Sequence, residues 1–253
     1  MKKGKILGRV IIAIILLLFI GFIFNIVNSI YGNPISAAIA TSKIKIYIDR
    51  TYPEEDLEIS KAIYNFKFDE YYSYVKSKTS EDTSFSVSWS KGQVTDDYEI
   101  QVKRHYATYK RLQRELDNKV EELIRQEFPC EISTIITHFY GDREDYSNLI
   151  LDMPLDITNP PYPTMMTIYI LSKEISYEIL RDRLTELWAI MEENKTKIDY
   201  YTVIIQEPMS PEGEKAAIDG KSLGVYNFPA ENIKSGNLME EIKDAKWQLQ
   251  GNK

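Results

Sequence analysis

Cysteine and histidine are scarce in this chain. Among its 253 residues there are one cysteine, Cys130, and two histidines, His105 and His138. A single cysteine excludes a disulfide within the chain, whereas secreted eukaryotic domains of this size often contain several. The three residues are widely spaced in the chain and give no transition-metal ligand pattern. We therefore predict no metal ion and no cofactor, and the shortage of cysteine fits a bacterial cell surface.

Basic residues are outnumbered by acidic ones. Lys and Arg total 31, Asp and Glu total 38, and the net charge is -7. Four basic residues lie at the N-terminus before any acidic one, namely Lys2, Lys3, Lys5 and Arg9. Subtracting these four charges from the net charge of -7 leaves -11 on the remainder of the chain. A surface of this sign repels polyanions, and the sequence therefore predicts no nucleic-acid binding.

The chain contains one long apolar run. Residues 10–27 are apolar except for Asn25. This run has the length of a membrane-spanning helix, about 17–25 residues, and exceeds the roughly 7–15 residues of a signal-peptide core. Because positive charges remain on the cytoplasmic side, we predict a cytoplasmic tail over 1–9, a transmembrane helix over 10–30 and an extracytoplasmic remainder. The predicted location is the cell membrane, with a single span.

The segment that follows the run, residues 31–40, permits two interpretations. Its end, Ala38-Ile39-Ala40, fits the small-x-small pattern that signal peptidases cleave. However, Gly32 favours a helix end, and Asn33-Pro34 favours a helix start, because Asn caps a helix and Pro fits its first turn. A helix over 34–52 would include the alanines, whereas a peptidase needs extended chain. We therefore favour a retained anchor over cleavage after Ala40.

The predicted helix 34–52 is amphipathic, and alternation of apolar and polar residues follows it. One face of the helix contains Ile35, Ala38, Ile39, Ser42 and Ile46, which we predict to be its buried side. Alternating side chains predict strands over 64–68, 71–75, 85–89 and 94–102, with a turn at 90–92. The sequence thus predicts an N-terminal α+β domain over 31–103, with one helix packed on an antiparallel meander.

The second half repeats this order of elements. Helical spacing predicts helices over 105–127 and 175–194 and a closing helix from 238. Strands are predicted at 131–139, 148–153, 165–171, 200–206 and 223–228. The predicted fold class is therefore α+β: an N-terminal transmembrane helix followed by two small helix-on-antiparallel-sheet domains, the second over 104–253.

Several short motifs in the first 102 residues indicate a family. They are the basic-then-apolar N-terminus, Gly32-Asn33-Pro34, Tyr47, Tyr52-Pro53, Tyr64-Asn65-Phe66-Lys67, Tyr71, Asp82 and Asp96-Asp97-Tyr98. With these motifs the N-terminal part resembles the YfjL-like envelope proteins of Bacillus-type bacteria, and the C-terminal part resembles that family in its order of elements. The resemblance implies an envelope location and supplies no catalytic residues.

Two groups of side chains are candidates for function. Tyr71, Tyr72 and Tyr74 are a candidate partner surface, because tyrosine binds with little loss of entropy. Asp82, Asp96 and Asp97 flank the predicted 85–89 hairpin on opposite strands, and their convergence would create an acidic site.

Two further patterns do not support an enzyme. Residues 220–224 match GxSxG, but a strand is predicted after them, where a nucleophile elbow needs a helix. Cys130 and His138 are about 26 Å apart if the chain between them is extended, so a thiol dyad would require the chain to fold back.

With the GxSxG match and the thiol dyad unsupported, the sequence contains no established catalytic pattern. The sequence favours a non-catalytic binding or regulatory module of the bacterial envelope, with a protein or envelope component as its partner. The alternative is a cell-envelope hydrolase whose acidic residues converge only in the fold.

Overall fold

The chain folds into two compact units, each with its own sheet. The computed structural model describes residues 2–141, 146–208 and 222–245. The units comprise Met1–Ala107 and Thr108–Lys253. A long apolar helix precedes the first sheet, and helices accompany both sheets. The predicted α+β class is therefore confirmed.

The first unit begins with two consecutive helices. Helix α1 spans Lys2–Tyr31, and helix α2 spans Pro34–Thr51. The large apolar side chains of α1 from Ile11 onward are exposed. In the described part of the chain, one helical stretch is long and apolar enough to cross a membrane. This stretch, Ile14–Thr51, overlaps the predicted span over 10–30 and continues into α2.

The junction between α1 and α2 has the predicted geometry. Gly32 has φ +74° and donates its N–H to the Asn28 carbonyl at 2.9 Å, which ends α1. The Asn33 side chain accepts hydrogen bonds from the N–H groups of Ile35 and Ser36 and thereby caps α2, with Pro34 as its first residue. The alanines of the small-x-small pattern are wound into α2, as expected.

The buried face of α2 differs from the predicted one. Ala40, Ile44 and Ile48 are buried, whereas Ile35, Ile39 and Ile46 of the predicted face are 70%, 45% and 44% exposed, and Ala38 and Ser42 are exposed with them. Apolar residues lie on two faces of this helix, and periodicity alone does not distinguish them. Polar contacts also favour the observed face, since Thr41 on that side accepts a hydrogen bond from the Ala62 N–H at 3.0 Å.

The first sheet has five antiparallel strands. They are β1 (Leu57–Ile59), β2 (Ile63–Asn65), β3 (Glu70–Ser77), β4 (Ser84–Ser90) and β5 (Gln93–Asp96). The order is β1-β3-β4-β5, and β2 also pairs with β3. Alternate residues of β3 and β4, Tyr71, Ser73, Val75, Phe85 and Val87, are buried. Helix α2 packs on β3 and β4.

Two strand predictions in this unit extend too far. The predicted strand 64–68 ends at Asn65, because the Asn65 carbonyl accepts the Phe68 N–H in a turn. The predicted strand 94–102 ends at Asp96 and is followed by a π-helical turn over Glu99–Lys103. In both segments local hydrogen bonds replace pairing with a neighbouring strand.

The described residues of the second unit form a four-stranded sheet and four helices. They are α3 (Tyr106–Glu127), β6 (Ile132–Phe139), β7 (Thr164–Leu171), α4 (Tyr177–Glu193), β8 (Tyr200–Gln206), β9 (Ser222–Pro229), α5 (Ala230–Ile233) and α6 (Leu238–Ala245). The strand order is β6-β7-β8-β9. Buried residues of α3 and α4, such as Leu116 and Leu184, share one core with the sheet.

The second sheet is mixed, which corrects the antiparallel prediction. Strands β7 and β8 are parallel, whereas the other neighbouring pairs are antiparallel. Helix α4 lies between β7 and β8 in the chain, and a crossover of this kind returns the second strand in the same direction as the first. The predicted strand 148–153 is also wrong, since those residues form turns with Leu149 buried and Asp152 at φ +60°.

Candidate functional site

The predicted tyrosine surface is divided between the two faces of the first sheet. Tyr72 and Tyr74 lie on the face away from α2, and the Tyr74 side chain is 58% exposed. Their rings pack edge to face, with the two ring centroids 5.3 Å apart. The strand register places Ser88 opposite Tyr72 and Ser86 opposite Tyr74. We call these four residues the tyrosine–serine face.

Tyr71 points to the opposite side of the sheet and holds the junction of α1 and α2. It is 8% exposed, and its hydroxyl accepts the Asn33 N–H at 2.7 Å and donates to the Asn33 carbonyl at 3.2 Å. Its ring is 5.0 Å from that of Tyr64 and 6.1 Å from that of Trp89. Tyr64 in turn packs directly on Gly32. We call Gly32, Asn33, Tyr64, Tyr71 and Trp89 the junction cluster.

Asp96 is the centre of a second cluster. Its Oδ2 accepts hydrogen bonds from the hydroxyls of Tyr47 at 2.5 Å and Tyr52 at 2.9 Å, and its Oδ1 accepts the Tyr98 N–H at 3.0 Å. The Tyr98 hydroxyl donates to Glu55 at 2.6 Å, and the rings of Tyr52 and Tyr98 are 4.5 Å apart. This tyrosine–carboxylate cluster joins the end of α2 to the end of β5.

Burial and hydrogen bonding raise the pKa values of these tyrosines. Desolvation is the larger cause for Tyr47 and Tyr52, followed by the hydrogen bond to Asp96, because both effects favour the neutral phenol. Desolvation and the hydrogen bond to Glu55 raise the pKa of Tyr98 to about 12. The three tyrosines therefore retain their protons at neutral pH, and the cluster acts as a structural network.

Alkaline pH is expected to destabilise the first unit through this cluster. A tyrosine whose pKa is raised by folding contributes stability that is fully present below its unfolded pKa of about 10 and is lost as the pH rises through the folded pKa. For Tyr98 the loss falls between pH 10 and about 12. Urea unfolding of the detergent-solubilised protein at increasing pH measures it. Tyr98→Phe should weaken the pH dependence, and an unchanged dependence would contradict the assignment.

The other two predicted acidic residues have different surroundings. Asp97 accepts the Ser86 N–H at 2.6 Å and the Gln101 side-chain amide at 3.0 Å. Asp82 is buried before β4 begins, and Asp96 pairs with Val87 further along that strand. Five residues of extended chain from Asp82 to Val87 span about 16 Å. The structure does not gather the three carboxylates into one site, and none of the described residues forms a metal-ligand group.

A cleft of about 430 Å³ lies in the second unit. Its charged and aromatic lining includes Trp188, Glu192, Lys197, Asp199, Tyr200, Glu231 and Lys234. The Lys234 ammonium is 4.8 Å from the Trp188 ring centroid and 3.4 Å from Glu192. Lys197 is 3.5 Å from Asp199. Charges of both signs beside an aromatic ring suit a polar ligand that carries both charges.

Sequence reasoning missed this cleft. Trp188 is half-buried on α4, where it packs against the core and also lines this cleft beside the start of β8 and α5. Asp199 is held there because its Oδ2 accepts the N–H of Thr164 at 2.9 Å and the hydroxyl of Thr164 at 3.1 Å. These segments are distant in the chain, and no local pattern connects them.

The structure also gives the positions of the residues in the two catalytic patterns that the sequence does not support. Cys130 precedes β6, and His138 lies near the end of that strand, which is extended between them. Burial raises the pKa of the Cys130 thiol and lowers the pKa of His138, so neither is activated by the other. Ser222 begins strand β9 rather than a helix. Residues 220 and 221 of the GxSxG match lie outside the described residues.

Family models match both halves of the chain. The model of the YfjL-like, N-terminal domain matches residues 7–98, and the model of the YfjL-like C-terminal domain matches residues 115–243. The chain belongs to the YfjL-like family. The resemblance expected from the N-terminal motifs is thus confirmed and extends over the second unit. No curated protein and no solved structure matches this YfjL-like chain.

The motif residues of the YfjL-like chain fall mainly into the two clusters of the first unit. Gly32, Asn33, Tyr64 and Tyr71 belong to the junction cluster, and Tyr47, Tyr52, Asp96 and Tyr98 belong to the tyrosine–carboxylate cluster. In this YfjL-like protein, residues that carry the family resemblance fix the position of α2 on its sheet.

Proposed function

We propose that this protein is a single-pass membrane protein with a cytoplasmic N-terminus, and that its extracytoplasmic part is a non-catalytic binding or regulatory module of the cell envelope. The tyrosine–serine face carries the proposal, since Tyr74 is exposed and Tyr72, Ser86 and Ser88 are half-buried beside it. Tyr72 and Tyr74 offer large aromatic contact area on a rigid strand, and Ser86 and Ser88 beside them offer adaptable hydrogen bonding. The partner is a protein or another envelope component.

The environment of the acidic residues supports the same proposal. Asp96 and Asp97 accept hydrogen bonds from tyrosine hydroxyls, a side-chain amide and backbone N–H groups. A general acid or base must instead reach a substrate proton. These two carboxylates therefore stabilise the first unit. The proposed binding to a partner uses the surface of that unit instead.

Site-specific photocrosslinking in the cell tests the proposal. Benzoylphenylalanine is larger than tyrosine by a benzoyl group, which the exposed position of Tyr74 can accommodate, and Tyr226, which is 37% exposed on β9, supplies the matched control. We expect a discrete crosslinked product from position 74 that is absent from position 226 and is lost when Tyr72→Ser is added. The products should contain the intact chain, including α1, in the membrane fraction.

Two results would contradict the proposal. Identical products, or none, from positions 74 and 226 across growth conditions would remove the tyrosine–serine face as a binding surface. A chain that begins at Thr41 would show that α1 is a cleaved signal.

A cell-envelope hydrolase is the second candidate, and the cleft favours it. Glu192, Asp199 and Glu231 bring three carboxylates to one concave surface. Complementation of a deletion strain separates the two functions. A hydrolase predicts that Glu231→Gln abolishes function and that Tyr74→Ser does not, whereas a binding module that uses the tyrosine–serine face predicts the reverse.

A further inference from the structure

Two phenylalanines project from an ordered turn of the first unit. Phe66 is 60% exposed and Phe68 is 71% exposed. The turn is closed by its own hydrogen bonds, since Asn65 accepts the Phe68 N–H with its carbonyl at 3.3 Å and the Lys67 N–H with its side chain at 3.2 Å. Neighbouring aromatic rings held in water by an ordered turn are typical of a surface that another apolar phase covers.

The base of this turn contacts the end of α1. A β-carbon added at Gly32 would lie 2.5 Å from the Tyr64 β-carbon, so the two residues are in direct contact. Tyr71, on the other side of the turn, accepts the Asn33 N–H at 2.7 Å. From Tyr64 to Phe66 the chain advances about 7 Å. The phenylalanines therefore lie close to the residue at which α1 ends.

Further exposed apolar side chains lie at the same junction. Tyr31, the last residue of α1, is 77% exposed, and Ile35, in the first turn of α2, is 70% exposed. Ile63, just before Tyr64, is 53% exposed. Together with Phe66 and Phe68 they add apolar surface where the predicted span ends.

We propose that the turn over residues 65–69 docks the first unit on the membrane that α1 crosses. Phe66 and Phe68 enter the interface of the leaflet from which α1 emerges, because apolar side chains such as Phe are buried at the boundary between headgroups and acyl chains. The ammonium group of Lys67, between them, reaches the lipid phosphates. This inference rests on the proposed membrane span of α1, and it gives the first unit a defined orientation on the lipid surface.

The position of the turn in the chain favours a lipid surface over a second protein copy. Lys67 and Asp69 are both exposed and their charges balance, and Asp69 Oδ1 also accepts the Tyr64 hydroxyl at 2.9 Å. Direct chain continuity with α1 also keeps the turn near the bilayer at all times. A second copy would have to be recruited, whereas the membrane is already present.

An environment-sensitive fluorophore at the turn tests this docking. Cys130→Ser yields a full-length chain without cysteine, into which Phe66→Cys or Phe68→Cys introduces one labelling site for nitrobenzoxadiazole. Glu81→Cys is the control, because Glu81 is exposed in the loop after β3, at the other end of that strand from the turn. The labelled protein is reconstituted in phosphatidylglycerol–phosphatidylethanolamine vesicles, with and without brominated acyl chains. Circular dichroism verifies that each variant is folded.

Docking predicts a blue-shifted emission at positions 66 and 68 that brominated lipid quenches, and a water-like, unquenched emission at 81. Equal emission at 66 and 81 would overturn the proposal. A blue shift without quenching would also overturn it, because it would place the turn against protein. Protein that fails to enter the vesicles would contradict the proposed membrane span of α1. A failure of the photocrosslinking test at Tyr74 would contradict the proposed binding face and would leave this result unchanged.

Discussion

Replacement of Gly32 by alanine is expected to destabilise the first unit by about 3 kcal/mol. Two costs combine. An L-residue in the left-handed region costs about 1–2 kcal/mol, and Gly32 has φ +74°. The new methyl group would also lie 2.5 Å from the Tyr64 β-carbon and 2.9 Å from the Tyr71 hydroxyl, and overpacking of this kind costs about 1–3 kcal/mol. Urea unfolding in detergent, followed by near-ultraviolet circular dichroism, measures the change.

Gly92 supplies a control that separates the two costs. It has φ +86° in the turn between β4 and β5, and no atom lies within 4 Å of a β-carbon added there. Gly92→Ala should therefore cost only the backbone term of about 1–2 kcal/mol. If both substitutions cost the same, the contact of Gly32 with Tyr64 and Tyr71 contributes nothing, and the junction cluster does not hold the helices as described.

Replacement of Asp96 by alanine is expected to cost a similar amount, about 3 kcal/mol. The substitution leaves the hydroxyls of Tyr47 and Tyr52 and the N–H of Tyr98 without their acceptor. Each lost hydrogen bond to a charged group contributes about 1.5–3 kcal/mol, reduced here because the cluster is partly exposed to water. The same unfolding measurement applies, and Asp96→Asn should retain part of the stability.

Asp56 is the matched control for this substitution. It forms an ion pair with Lys78 at 2.6 Å in the same unit, but their side chains are 62% and 47% exposed. Asp56→Ala should therefore cost no more than about 1 kcal/mol. A combination of Tyr52→Phe with Asp96→Ala should be less costly than the sum of the two single changes. Strict additivity would show that the tyrosine–carboxylate hydrogen bond does not contribute to stability.

Helix ends and long helices were predicted well because their signals are local. Gly32 ends α1 and Asn33 caps α2 through hydrogen bonds to residues at most four positions away. Helices α3 and α4 likewise follow from apolar residues at helical spacing within each segment. Strand ends were predicted less well, because the alternation of side chains continues past Asn65 and Asp96 into turns that local hydrogen bonds close.

The candidate sites were only partly visible in the sequence. Tyr71, Tyr72 and Tyr74 were identified together because tyrosines cluster there, but Tyr71 faces α2, on the opposite side of the sheet from Tyr72 and Tyr74. Alternation predicts that the two sets face opposite sides of a sheet, but it does not show which side a helix covers. The cleft around Trp188 had no local signal at all.

The sequence by itself determined the apolar helix, the helix junction at Gly32-Asn33-Pro34, the α+β class and the family. The helix and the junction arise from composition and from interactions between near neighbours, and the class and the family follow from the order of such local signals along the chain. Only the tertiary structure decided which face of α2 is buried, the parallel pairing of β7 with β8, the role of Tyr71 at the junction and the cleft between α4 and α5. The physical reason is that each depends on contacts between segments tens of residues apart, whose free energy is gained only when the sheets assemble.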